Sequence, residues 1–339
     1  MERLEDLQRV FKILRCTIWS NIDWTSLLKT MRCELEIGSP MQPSVSAVWF
    51  GVSRTVVSMC GAGIVVCLVA IWAARADFVR ARGLDKVLVL GNLCFAVPLA
   101  VFGALHLADA GMVVGAVPAY MPWKLFWAYL VGIALVAAAL SIASGIQIQW
   151  SGMLFGVMLF LFAAMTDVPG AIANPGDRFG WTFVVREMAF SSGGLLLAAG
   201  AMDGVRGKRL VAVGRVVIGV AAVFYGVEYF LHPLACPGVP LEKLMPEWIP
   251  GRLAIGYATG AILVGCGALI LAARRTRMVA TMLGGWIVLL VVVVYGPILV
   301  AALGSPSVGV EIEGINYFAD TLLFGGAILG LAGAVRRAD

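Results

Sequence analysis

The sequence predicts an all-α, polytopic membrane helix bundle of about nine transmembrane helices, arranged as two parallel four-helix repeats plus one extra N-terminal helix. Three observations predict it. Hydrophobic residues make up 61% of the 339-residue chain and charged residues 13%, with a mean hydropathy of +0.94, too little charge to cover a soluble surface of this size. Apolar runs reach the roughly 20 residues that a helix needs to cross ~30 Å of hydrocarbon. A proline–aromatic–basic pattern, "PAYMPWKLFWAYLVG" at 118–132, returns as "PEWIPGRLAIGYATG" at 246–260.

Residues 1–53 are read as an N-terminal extension. The segment "MERLEDLQRVFKILRCTIWS" has no apolar run of signal-peptide length. Its basic residues Arg3, Arg9, Lys12, Arg15, Lys29 and Arg32 fall on the side that should be poor in them. Two readings fit: an amphipathic segment lying on a membrane surface, or a native start at Met41. The second removes the conflict with the charge rule and is preferred.

The extra helix, about 55–74, and a basic loop occupy 54–86. The first repeat, 87–202, carries spans at about 87–108, 123–144, 151–169 and 182–201. The second, 203–339, carries spans at about 210–231, 252–273, 278–303 and 318–335. A four-helix unit brings the chain back to the side from which it started, so the two copies are parallel.

An offset of 128 lays Pro118 on Pro246, Pro122 on Pro250, Lys124 on Arg252, Tyr129 on Tyr257 and Gly132 on Gly260. Upstream, "GNLCFAVPLAVFG" matches "GRVVIGVAAVFYG" through its terminal glycines. Downstream, "GMLFG" from Gly152 resembles "TMLGG" from Thr281, and "REMAFSSGGLLLAAGA" parallels "ADTLLFGGAILGLAGA", pairing Glu187 with Asp320. Pro122 and Pro250 suit the first turn of a helix, where a missing N–H costs little. Lys124 and Arg252 can snorkel to headgroups, aromatic residues belong at the interface, and the glycines allow close helix approach.

Orientation follows from lysine and arginine. Arg75, Arg80, Arg82 and Lys86, then Arg206, Lys208 and Arg209, then Arg274, Arg275 and Arg277, and finally Arg336 and Arg337 all fall on one side. That side is expected to be cytoplasmic, with the C-terminus inside, in a cell (inner or plasma) membrane. The net charge of +5 is therefore topology, and nucleic acid is not an expected partner. The expected partner is the lipid bilayer.

Ionisable groups inside hydrocarbon are functional candidates by default. Arg186, Glu187, Glu228 and Asp320 are expected in the outer third of the bundle, level with Lys124 and Arg252, around one polar pocket rimmed by Tyr225, Tyr229, Trp181 and Tyr257. Side chains near a helix end also reach the interface and pair there, so anchoring accounts for the same residues. His106 and His232 are not equivalent in the repeat, because His106 falls on Tyr229, which argues against paired haem ligation. His232 and Cys236 are spaced i, i+4 but flanked by Pro233 and Pro237, which disfavours a helical metal pair. The seven cysteines form no CxxC, and most lie in apolar spans as small hydrophobes. No phosphate loop, HExxH helix or nucleophile elbow is present, so a stand-alone active site is not expected.

The run "LVAVGRVVIGVAAVFYGVEYFLHP", the P-x-x-x-P approach to a Gly-rich helix, and "GALILAARRTRMVATML" with its basic turn resemble the DoxX and DoxX-like family of four-helix membrane proteins, present here in tandem. The second copy resembles the family better. The first has Asn92 where the second has Arg215, and its "SGIQIQW" turn lacks basic residues. Members are linked to thiosulfate–quinone oxidoreduction and to membrane complexes handling oxidative stress. The resemblance implies a quinone-contacting or accessory subunit with a redox partner subunit, quinone being the cofactor it admits, although no cofactor is evident from the residues. A small-solute carrier and a membrane scaffold are the alternatives. The acidic residue frequent in the family's second helix is missing from "GIALVAAAL" and "GAILVGCGAL".

Overall fold

The computed structural model describes residues 48–49, 52–235 and 243–338. The readings made on residues 1–40, on a start at Met41 and on Cys16, Cys33 and Cys236 lie outside the described residues. Nine described helices are long and apolar enough to cross a membrane, giving the expected all-α polytopic bundle. They are α1 (Arg54–Arg80), α2 (Asp85–Ala108), α3 (Lys124–Ser144), α4 (Ile148–Ala173), α5 (Arg178–Ala199), α6 (Gly204–Leu231), α7 (Arg252–Leu271), α8 (Thr276–Leu303) and α9 (Val308–Ala338). Before α1, Val48–Trp49 and Val52–Ser53 form a two-residue antiparallel pair, and the Ser53 hydroxyl accepts from the Thr55 N–H to cap the helix.

Packing order follows from small residues. α2 lies on α3 and α6 on α7 through the same contact: a Cβ at Gly103 would stand 3.0 Å from the Gly132 carbonyl and 2.7 Å from Val136, and one at Gly226 would stand 2.9 Å from the Gly260 carbonyl and 2.7 Å from Val264. α4 packs on α5 and α8 on α9. Across the middle α2 meets α9, α5 meets α6, and α5 meets α9. α5 and α9 are the most buried of the nine, so they form the centre, while α1 covers α2 and α3 from outside.

Irregular features recur at the same spacing of 128 residues. α3 starts at Lys124 after left-handed Trp123, and α7 starts at Arg252 after left-handed Gly251. Gln147 and Arg275 take the same conformation before α4 and α8. A π-helical turn occupies Ala163–Asp167 in α4 and Val291–Tyr295 in α8, just ahead of Pro169 and Pro297. Proline cannot donate to the carbonyl one turn back, and the helix widens there instead.

Three details differ from the sequence reading. Pro122 and Pro250 precede their helices, because the left-handed residues Trp123 and Gly251 stand between proline and helix start. Helices α4 and α8 correspond one residue away from the "GMLFG"/"TMLGG" match: Gly156 sits against Leu195 and the Ser191 carbonyl, and Gly284 against Leu329 and the Gly325 carbonyl. Finally, α9 begins at Val308 rather than near 318, since Glu311, Glu313 and Asn316 are buried inside the bundle.

Candidate functional site

The centre of the bundle holds a buried charge cluster. On α5, Arg186 Nη2 donates to Glu187 Oε1 at 2.9 Å, and its Nη1 reaches Asp320 Oδ2 on α9 at 3.3 Å. The guanidinium also lies 4.5 Å from the centre of the Phe183 ring, a cation–π contact strengthened by burial. Asp167, the last residue of the π turn in α4, is buried within electrostatic reach of both Arg186 and Glu187. One cation thus faces three carboxyl groups. The Arg186 Nε, Glu187 Oε2 and Asp167 Oδ2 atoms are buried without a hydrogen-bond partner among the described residues. Such groups are costly in a low dielectric unless something completes them.

Arg186, Glu187 and Asp320 form one wall of an otherwise apolar cavity of about 90 Å³ between α2, α3, α4, α5 and α9. Phe102, Phe155, Phe162 and Phe190 supply aromatic surface, and Arg186, Glu187, Asp320, Asn316 and His106 supply the polar groups. Asn316 is one helical turn before Asp320 on α9, and its Oδ1 is buried and unpartnered. His106 near the end of α2 is buried, with Nδ1 donating to the Phe102 carbonyl at 2.8 Å, which leaves Nε2 as the ring acceptor. Gly132 on α3 makes this placement possible, because a Cβ there would stand 2.8 Å from the His106 Cβ.

Of the residues singled out in the sequence, Arg186, Glu187 and Asp320 meet. Arg186 is eight residues into α5 and Asp320 twelve into α9, roughly 12 and 18 Å from the helix starts. Glu228 stands apart, paired with Arg178 at 2.8 Å near the start of α5. Tyr225 and Tyr229 are core residues and do not line the cavity: the Tyr225 hydroxyl donates to the Thr182 carbonyl at 2.7 Å, and its ring packs on Phe324. Arg252 donates to the Met245 carbonyl at 3.1 Å and stands 3.9 Å from the exposed Glu247. Lys124 opens α3 and, like Arg252, lines no part of the cavity.

His106, Asn316 and Asp167 were not read as site residues. The signal for Asn316 was present: Glu313, Asn316 and Asp320 are spaced i, i+3, i+7 and share one helix face. Among the described residues no group of three or more His, Cys, Asp or Glu is arranged to hold a metal ion. Compared with protein-family models, curated proteins and solved structures, the chain has no match.

Proposed function

We propose that this multi-pass membrane protein is a DoxX-like tandem of two four-helix units, and that it serves as a quinone-contacting accessory of a membrane redox complex. The observation that carries the reading is the cavity itself: aromatic walls closed at one side by Arg186, Asn316, His106 and two carboxyl groups. A quinone headgroup is a flat apolar ring with hydrogen-bond acceptors at its edge. Arg186 and the Asn316 amide are donors for such an acceptor, and Glu187 or Asp320 can hold a proton beside it. When bound, a quinone supplies electron-transfer chemistry for which the protein residues provide position and protons. The recurrence of helix starts, π turns and glycine contacts supports the tandem reading, and the basic loops support a cytoplasmic C-terminus.

The cavity is smaller than the ~150 Å³ that admits a benzene ring, so the aromatic walls must move for a headgroup to bind. The test is a titration of short-chain ubiquinone and menaquinone analogues into purified protein, followed by tryptophan fluorescence. Saturable binding is expected, weakened by Asn316→Ala and strengthened by Phe190→Ala, which enlarges the cavity. Absence of saturable binding, with no redox partner co-purifying, overturns the reading.

One observation favours a second reading, a small-solute carrier. A larger cavity of about 610 Å³ lies at the opposite ends of the same helices, lined by Leu88 and Asn92 of α2, Ala143 and Ser144 at the end of α3, Leu197 and Gly200 at the end of α5, and Gly330 and Gly333 of α9. Between the two cavities stand Phe95, Leu99, Gly193 and Ala327, packed without space. Uptake into liposomes that is abolished by Asp320→Asn while the protein stays folded would favour the carrier over the accessory subunit.

A further inference from the structure

We infer that the larger cavity is a binding site for an organic cation, a guanidinium or primary ammonium group that takes the place held in the second half of the chain by the side chain of Arg215. The inference does not depend on what fills the smaller cavity.

It starts from Arg215 on α6. Its Nη1 donates to the carbonyls of Ile270 and Leu271 at the end of α7, each at 2.7 Å. The last carbonyls of a helix lack intrahelical partners and carry the negative end of its dipole, so a guanidinium there is well matched. Arg215 lies eleven residues before Gly226, and Ile270 ten after Gly260, the two glycines of the α6–α7 contact. Asn92 lies eleven residues before Gly103, and Ile142 ten after Gly132, the two glycines of the matching α2–α3 contact. Identical contact geometry therefore sets Asn92 against the end of α3 as Arg215 is set against the end of α7. The side chain of Asn92 is too short to fill the space and carries no charge.

Space is what the structure shows there. Asn92, Ala143, Ser144 and Gly145 all line the 610 Å³ cavity, and α1, which has no counterpart in the second half, closes its side with Ala70, Ala73, Ala74, Asp77 and Arg80. Asp85 also lines it but is engaged by Arg277. Arg277 thus engages Asp85, while Asp77 lines the cavity beside the end of α3, which carries the negative end of that helix dipole. A cationic head on an apolar stem satisfies both: the head meets the end of α3 at Ala143 and Ser144, which line the cavity together with Asp77, and the stem lies along the alanines of α1. The same chemistry is available from a soluble amine and from an amine lipid headgroup.

The test uses the full chain in nanodiscs, with agmatine as the probe and calorimetry as the readout. In phosphatidylcholine discs, saturable agmatine binding is expected. Asn92→Arg, which copies the Arg215 arrangement, should abolish it while raising the melting temperature, and Asp77→Asn should weaken it about tenfold, as expected for loss of one charged partner. If binding persists in phosphatidylethanolamine discs the site selects a soluble amine, and if it disappears the lipid amine occupies the site; both support the inference. Because Asn92→Arg can fail to fold, the reciprocal variant is informative. Arg215→Asn should lose melting temperature and recover it on addition of methylguanidinium, as a void at helix-end carbonyls would. Absence of agmatine binding in phosphatidylcholine discs overturns the proposal, as does undiminished binding to a folded Asn92→Arg protein or failure of methylguanidinium to restore Arg215→Asn.

Discussion

Arg186 Nη1 and Asp320 Oδ2 stand 3.3 Å apart and join α5 to α9, two helices separated by more than a hundred residues of sequence. Both side chains are almost completely shielded, so the pair is the electrostatic link between the two most buried helices. Removing the cation leaves Glu187, Asp320 and Asp167 facing one another without compensation. Arg186→Leu is expected to cost about 3–5 kcal/mol, the usual penalty for breaking a buried pair from one side. Asp320→Asn should cost much less, because the 2.9 Å contact between Arg186 and Glu187 survives. Thermal unfolding in detergent gives the order, and Asp320→Asn as damaging as Arg186→Leu would show that the cluster is not centred on the arginine.

Glycine contacts set the spacing of α2–α3 and α6–α7, and they give a matched pair of predictions. Gly103→Ala and Gly226→Ala place a methyl 2.7 Å from a valine side chain and close to backbone, so each should destabilise by about 1–3 kcal/mol through overpacking. Gly265→Ala on α7 meets nothing within 4 Å and should be neutral or slightly stabilising, since alanine is the better helix former. Equal melting temperatures for all three variants would remove the close-contact account of the two helix pairs.

These contacts also show how much was legible beforehand. The nine spans could be read because apolar length is a local property of sequence, and Gly132 and Gly260 stood out because they repeat. Arg186, Glu187 and Asp320 could be singled out because charge in an apolar run is conspicuous. What pairing alone could not supply was neighbourhood. Glu228 is expected around the same pocket as Glu187, but Arg178 holds it at the start of α5. His106 sits near the end of a span, yet the close approach permitted by Gly132 buries it. The start of α9 was placed ten residues late because Glu311, Glu313 and Asn316 read as loop. Only tertiary contacts, such as that between Lys243 and Glu313 at 2.6 Å, make their burial affordable.

Tyr225 and Phe102 occupy matching places, eleven residues after the paired positions Gly214 and Gly91, but only tyrosine carries a hydroxyl. That hydroxyl donates to the Thr182 carbonyl at 2.7 Å and ties α6 to α5. Tyr225→Phe is expected to lose about 1 kcal/mol, the net worth of one hydrogen bond, while its ring contact with Phe324 is retained. Tyr225→Ala should lose about 3–5 kcal/mol, because a fully buried aromatic side chain leaves a cavity. Chemical denaturation of the two variants separates the polar from the packing contribution, and similar losses would mean that the hydroxyl carries most of the effect.

The proposed parallel arrangement of the two halves makes a topological prediction. Tyr120 and Trp248 are both exposed, each lies shortly before a helix that opens on a basic residue, and an even number of spans separates them. They should therefore lie on the same face of the membrane, and the basic loops at Arg206 and Arg274 on the other. In a background without native cysteines, Tyr120→Cys and Trp248→Cys should react together with a membrane-impermeant maleimide added to intact cells, whereas Arg206→Cys and Arg274→Cys should react only after permeabilisation. Labelling of positions 120 and 248 from opposite faces would break the correspondence between α3 and α7, and with it the matching of Asn92 to Arg215 on which the cation site rests.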